Sequence, residues 1–239
     1  MDDGVRRLVD PFLADVDAAL GTTYTAVLFG SAARGDYVAG TSDVNLMLIV
    51  ERAEPEELAR LRPAFARWRK AAAGLPLVIS REEWLQGIDV FPIEICDLRA
   101  AYQVLRGPDL VASLEPKRAD LRRALEKEFR GKLLRLRQRY AAHGEDNLGA
   151  WAGGTIAAIV LFLRCLLTLT GRSAPAEPSG VIDGAGALLG FEPAPLLRVL
   201  ACRTSAKPTL AASDFEAYLR AVEKAAQFTD QLELGDLHS

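Results

Sequence analysis

Val27 Leu28 Phe29 Gly30 Ser31 Ala32 Ala33 Arg34 Gly35 Asp36, followed by Gly40 Thr41 Ser42 Asp43 Val44 Asn45 Leu46 Met47 Leu48 Ile49 Val50, is the stretch that decides the fold. Tyr24 to Phe29 is β-rich and apolar, the pattern of a buried strand. Gly30 lets the backbone leave that strand in a conformation most residues resist, which turns amide groups toward the strand's end. Ser31 adds a hydroxyl and its own N–H, so an anionic phosphate would meet donors without a bulky side chain in the way. Arg34 could then reach the outer phosphates. Asp43 opens the second strand, and because strand side chains alternate, Asp43 and Asn45 face one side while Val44 and Leu46 face the other. Two oxygen-bearing groups on one edge need that spacing if they are to hold a magnesium ion.

A Gly-Ser pair alone is a plain turn in most proteins. An apolar strand, Gly-Ser, an Arg-Gly-Asp turn and a Ser-Asp-x-Asn opening a second apolar strand form a much rarer combination. It resembles the signature of the DNA polymerase β-like nucleotidyltransferase superfamily, in which a Gly-Ser turn grips a nucleotide's phosphates and an Asp-x-Asp pair holds magnesium. The resemblance implies phosphate contacts from Gly30, Ser31 and Arg34, and metal contacts from Asp43 and Asn45, with Asp43 also catalytic. The second acid of the pattern is here an amide. An amide oxygen can ligate but brings no negative charge. One unit-charge pair near 4 Å is worth roughly 4 kcal/mol gross at an effective dielectric of about 20, so weak Mg²⁺ binding is expected.

Superfamily members usually carry a third carboxylate on a later strand flanked by apolar residues. Phe91 Pro92 Ile93 Glu94 Ile95 Cys96 Asp97 Leu98 supplies the candidate, read as a strand that projects Glu94 away from its two isoleucines. The resemblance makes Glu94 a metal-binding and catalytic acid; without it, Glu94 is an edge-strand acid facing water. Asp97 has the opposite parity and is the weaker candidate. Tyr102 to Gly107 looks like the valine-leucine-x-glycine segment that trails this strand in bacterial relatives.

The chain has 239 residues, half of them hydrophobic, enough for one large domain or two modest ones. A net charge of −3 gives no global pull toward nucleic acid or an anionic membrane. Met1 Asp2 Asp3 is not followed by the apolar core of a signal peptide, so a cytoplasmic protein without a membrane partner is expected. Cys96, Cys165 and Cys202 lie far apart in apolar surroundings and suggest buried thiols. With His143 and His238 as the two histidines, zinc is not the expected metal.

Periodicity predicts a helix over 5–20 despite Pro11, strands over 24–30 and 44–50, a helix over 55–73, a strand over 75–79, a turn or short helix over 82–87 and a strand over 91–98. Beyond Gly107 the pattern turns helical. Residues 117–142 place Leu121, Leu125, Phe129, Leu133, Leu136 and Tyr140 on one stripe, with Arg and Lys elsewhere. That basic surface either meets phosphates or RNA, or is a solvated face laced with pairs such as Glu126 with Arg130. Residues 148–170 are apolar but interrupted by Arg164, a buried bundle helix rather than a membrane span. Gly149, Gly153 and Gly154 would let a neighbouring backbone approach it. Ser213 with Glu216 reads as a capping box opening the last helix. The fold class is therefore α+β, with a mixed-sheet nucleotidyltransferase domain over 1–112 and an all-α helical bundle over 113–239.

The same arrangement is found in the kanamycin-type aminoglycoside nucleotidyltransferases and their bacterial relatives. That resemblance implies transfer of a nucleotidyl group from a nucleoside triphosphate, ATP first, to a hydroxyl of a small-molecule acceptor, with Glu126 or Glu128 as conceivable general bases. A different class is a nucleotide-binding protein without turnover, for which Asn45 is the argument. A third is a ribonuclease resembling HEPN domains, from the Arg137-x5-His143 spacing; nucleic acid is otherwise a poorly supported partner. The acceptor, the preferred base and the oligomeric state, including a homo-oligomer, are not fixed by the sequence.

Overall fold

Asp2 sets the first element by accepting hydrogen bonds from the N–H groups of Gly4 (2.7 Å) and Val5 (3.3 Å), an N-cap that satisfies donors a helix leaves open at its start. In the computed structural model, which describes residues 1–35, 37, 44–71 and 74–233, the helix α1 (Asp3–Leu20) then buries Val5, Val9, Phe12, Leu13 and Val16 and carries Pro11 inside it. β1 (Tyr24–Phe29) and β2 (Asn45–Val50) pair antiparallel, Phe29 opposite Asn45 and Tyr24 opposite Val50. β3 (Leu77–Ser80) lies parallel to β2, and β4 (Tyr102–Arg106) pairs antiparallel with β1, giving a mixed sheet of order β3-β2-β1-β4.

Alternation divides the sheet between two cores. Ala26, Leu28, Leu46 and Leu48 pack with α1 and with Leu61, Ala64 and Trp68 of α3 (Pro55–Ala71). Phe12 meets Phe65 and Trp68 edge-on at 5.4 and 4.9 Å between ring centroids. Val27, Met47 and Ile49 pack on the other face against Trp84 of α4 (Arg81–Gln86), Ile95 and Leu98 of α5 (Pro92–Ala100), Val111 and Leu114. Each fully buried Val, Leu, Ile, Phe or Met among them contributes about 1.5–3 kcal/mol on leaving water. Ser80 and Glu83 form a reciprocal capping box that starts α4 directly from the end of β3.

Two sequence expectations are corrected here. Residues 91–98 are not a strand: Pro92 occupies the first helical turn, where its fixed φ and missing N–H are harmless. Ile93-Glu94-Ile95 alternates over three positions only, whereas Pro92, Ile95 and Leu98 share the spacing of one helix face and are buried. The strand beside β1 is instead Tyr102–Arg106. The last helix begins at Ala212 with Ala211 as its N-cap and no side-chain cap, so Ser213 lies inside the helix, and Glu216 accepts from the Tyr140 hydroxyl (3.1 Å).

The chain forms two compact units, Met1–Pro116 and Lys117–Ser239. The described part of the second is helical: α6 (Arg118–His143), α7 (Leu148–Leu169), α8 (Pro178–Leu189), α9 (Pro193–Cys202) and α10 (Ala212–Gln231). α6 buries Leu121, Leu125, Phe129, Leu133 and Leu136. α7 is the one helix among the described residues long and apolar enough to cross a membrane, yet 67% of its most apolar stretch is buried inside the protein, where it packs on α6, α8, α9 and α10. Its Arg164 is 4% exposed and donates to the carbonyls of Pro175 and Ala176, so the charge that interrupts the run ties down the following loop.

Close approach explains two glycines of α7. A Cβ at Gly149 would stand 2.4 Å from the Pro208 carbonyl oxygen, and one at Gly153 would stand 3.1 Å from the Cys202 carbonyl carbon. Gly154 has nothing within 4 Å. We therefore expect Gly149→Ala to cost about 1–3 kcal/mol through overpacking, and Gly154→Ala to stabilise by up to about 1 kcal/mol through helix propensity. Urea denaturation of the two variants beside wild type checks both signs.

Candidate nucleotide-binding site

Gly30 leaves β1 at φ 70°, ψ −149°, a backbone conformation that side chains disfavour. Ser31–Arg34 follow as a single helical turn, α2, in which the N–H groups of Ala33 and Arg34 donate to the Gly30 carbonyl. Gly35, at φ 91°, closes the turn by donating to the Ser31 carbonyl. The N–H groups of Ser31 and Ala32 head this turn, where helical geometry supplies them no carbonyl.

Asn45 heads β2 directly across from Phe29. Its side chain is exposed, and a Cβ built on Gly30 would stand 2.5 Å from Asn45 Nδ2. The positive φ is what favours glycine at position 30; the Asn45 carboxamide beside it is the end of a flexible, exposed side chain. Tyr102, across from Phe29 on the other side, completes the rim of the sheet at the same end. Its hydroxyl donates to Asp109 (2.8 Å), and that hydrogen bond holds the phenol above its ordinary pKa.

Arg34 does not extend into solvent. Its Nη1 donates to Asp97 Oδ1 at 2.8 Å, and the two side chains are 15% and 12% exposed. This ion pair ties the turn after Gly30 to α5. The structure thus gathers Gly30, Ser31, Arg34 and Asn45 at one end of β1. Asp43 lies outside the described residues. Glu94 stands exposed on the first turn of α5, not on a strand, and β4, the strand that does flank β1, carries no carboxylate. Asp97 was the residue whose role the sequence obscured: a strand reading gave it the wrong parity, while a helix reading puts it among Ile93, Ile95 and Leu98 on the buried side, where a carboxylate requires a partner.

A magnesium site fits these donors poorly. Asn45 offers a neutral oxygen, Asp97 is committed to Arg34, Glu94 sits on an exposed helical turn, and among the described residues no three His, Cys, Asp or Glu side chains cluster as a metal site would. In the helical unit, Arg137 pairs with Glu223 at 2.5 Å and His143 packs on Trp151, with ring centroids 5.1 Å apart. Glu126 accepts from both Arg122 (3.2 Å) and Arg130 (3.0 Å). Each has a structural partner that accounts for it.

No protein-family model matches the chain, and no curated protein matches it. Among solved structures it is similar to the crystal structure of spectinomycin adenyltransferase AAD(9) from Enterococcus faecialis with ATP and spectinomycin. The TM-score is 0.57 at 13% identity, over 95% of this chain and 99% of that one. The fold is that of a nucleotidyltransferase. In this chain the sheet region precedes the helical C-terminal part, and the likeness spans both.

Removing one partner of a buried ion pair leaves an uncompensated charge. Asp97→Asn is expected to destabilise the protein by about 3 kcal/mol, and the double change Arg34→Met with Asp97→Leu by clearly less. Chemical denaturation of the single and double variants tests this ordering.

Proposed function

We propose that this chain is a nucleotidyltransferase that binds a nucleoside triphosphate, ATP first, at the Gly30–Ser31 turn and moves its nucleotidyl group to a hydroxyl of a small-molecule acceptor. The observation that supports this reading most is the bare Gly30 turn with Asn45 against it, at the end of the central strand of a fold shared with a protein solved with ATP. In such a transfer the acceptor oxygen bonds to the α-phosphorus, the bond from that phosphorus to the bridging oxygen breaks, pyrophosphate leaves, and the hydroxyl proton passes to a base. Ser31 and the head of α2 supply neutral donors to the phosphates. Asp43 is the acid on which this reading relies for catalysis. Mg²⁺ is bound weakly by the protein itself, because position 45 lacks a charge.

One observation favours a second reading, a triphosphate-binding protein without transfer. The neutral Asn45 and the exposed, helical Glu94 leave the acid set of a transferase incomplete among the described residues.

Calorimetry with ATP tests the site, and pyrophosphate release tests the reaction. Wild type is expected to bind ATP with Kd below about 1 mM, and Gly30→Ala to lose about tenfold or more as alanine strains the positive φ of the turn. Absence of saturable binding in folded wild type overturns both readings. Pyrophosphate released on adding hydroxylated acceptors, spectinomycin first, supports transfer; bound ATP with no release across the panel supports the second reading.

A further inference from the structure

We infer that the Gly30 turn recognises a polyphosphate through the Asn45 carboxamide, without needing a divalent cation. The inference rests on the phosphate site proposed above and concerns how that site holds its anion. Asn45 is fixed by the sheet register opposite Phe29, and its carboxamide lies next to Gly30, with Nδ2 2.5 Å from where a Cβ on that glycine would stand. The side chain is exposed at this rim, so a ligand reaching the turn meets it.

The chemistry of position 45 decides what that encounter needs. A carboxylate here would offer acceptors only and would repel a phosphate unless a cation stood between them. A carboxamide carries no charge and presents two N–H donors, which bond directly to a phosphate oxygen. Asp97, the carboxylate tied to the turn through Arg34, is held in that ion pair at 2.8 Å. Asn45 therefore acts as an anion donor in a place where an acid would be a cation ligand. Asn45→Asp would convert a metal-independent phosphate site into a metal-dependent one.

Inorganic tripolyphosphate isolates this property from nucleoside recognition. Titrations of wild type, Asn45→Asp and Asn45→Ala are made in EDTA and in excess Mg²⁺, with circular dichroism to establish that each variant is folded. Wild type is expected to bind in EDTA with an affinity within about threefold of that in Mg²⁺. Asn45→Asp should lose about tenfold or more in EDTA and recover in Mg²⁺, while Asn45→Ala should weaken under both conditions. If Asn45→Asp does not fold, the wild-type comparison and Asn45→Ala carry the test. Wild-type binding that requires Mg²⁺, or equal binding by wild type and Asn45→Ala in EDTA, overturns the inference. ATP titrated in parallel separates the two proposals. ATP binding confined to Mg²⁺ keeps the nucleotide reading and removes this one; tripolyphosphate binding in EDTA with no added affinity for ATP keeps this one and removes the nucleotide reading.

Discussion

The pairing of β1 along both of its edges is the constraint on which the site depends. Ala26, Val27 and Leu28 are fully buried between two cores, and Phe29 is flanked by Asn45 on one side and Tyr102 on the other. Because side chains on a strand alternate, a slip of one residue between β1 and β2 would carry Asn45 to the opposite face together with Met47 and Ile49. It would also push Leu46 and Leu48 out of the core they share with α1 and α3. The apolar residues further along β2 thus fix the position of a polar residue at its head. Gly30 can sit within contact of Asn45 only because the strands behind it cannot shift.

That rigid frame is matched with an unusual distribution of charge. The arginine closest to the turn is turned inward to Asp97, and the residue facing the turn is a neutral amide. A buried, hydrogen-bonded ion pair is a poor source of net stability but a strong determinant of geometry, since separating its members strands a charge. Arg34 is therefore better understood as a strut from α2 to α5 than as an outstretched phosphate ligand. Among the described residues, the groups gathered at the turn are amide N–H groups, the Ser31 hydroxyl and the Asn45 carboxamide.

The sequence made β1, the Gly-Ser turn and β2 legible because three local signals agree there: an apolar run, a glycine needing positive φ, and a second apolar run after Asn45. The helical second half was legible for a similar reason, since the stripe from Leu121 to Leu136 repeats over four turns and is buried as its spacing requires. Glu94 failed where the signal was short. Three alternating residues fit a strand, and the proline before them, which marks a helix start, carried the decisive information. Reading α5 as a strand also hid Asp97, whose partner Arg34 lies 63 residues away and leaves no local trace. The Ser213 cap failed because the helix starts earlier, with Ala211 as its N-cap, so Ser213 is already helical.

The basic surface of α6 is in part a network of ion pairs. Arg122 and Arg130 converge on Glu126, Arg123 pairs with Asp120, Arg130 also reaches Asp230, and Arg137 reaches Glu223. Each exposed pair is worth only about 0–1 kcal/mol, so the pairs do little for stability. Their effect on recognition is larger. An arginine already bonded to a carboxylate brings that negative charge along to any phosphate backbone, and nucleic-acid affinity grows with the number of phosphates neutralised. A helix whose arginines are matched in this way presents a weaker field than its arginine count suggests. The same matching ties α6 to α10, since Arg130 and Arg137 find their acids there. Four of the seven arginines of α6 are thus bound into the construction of the helical unit.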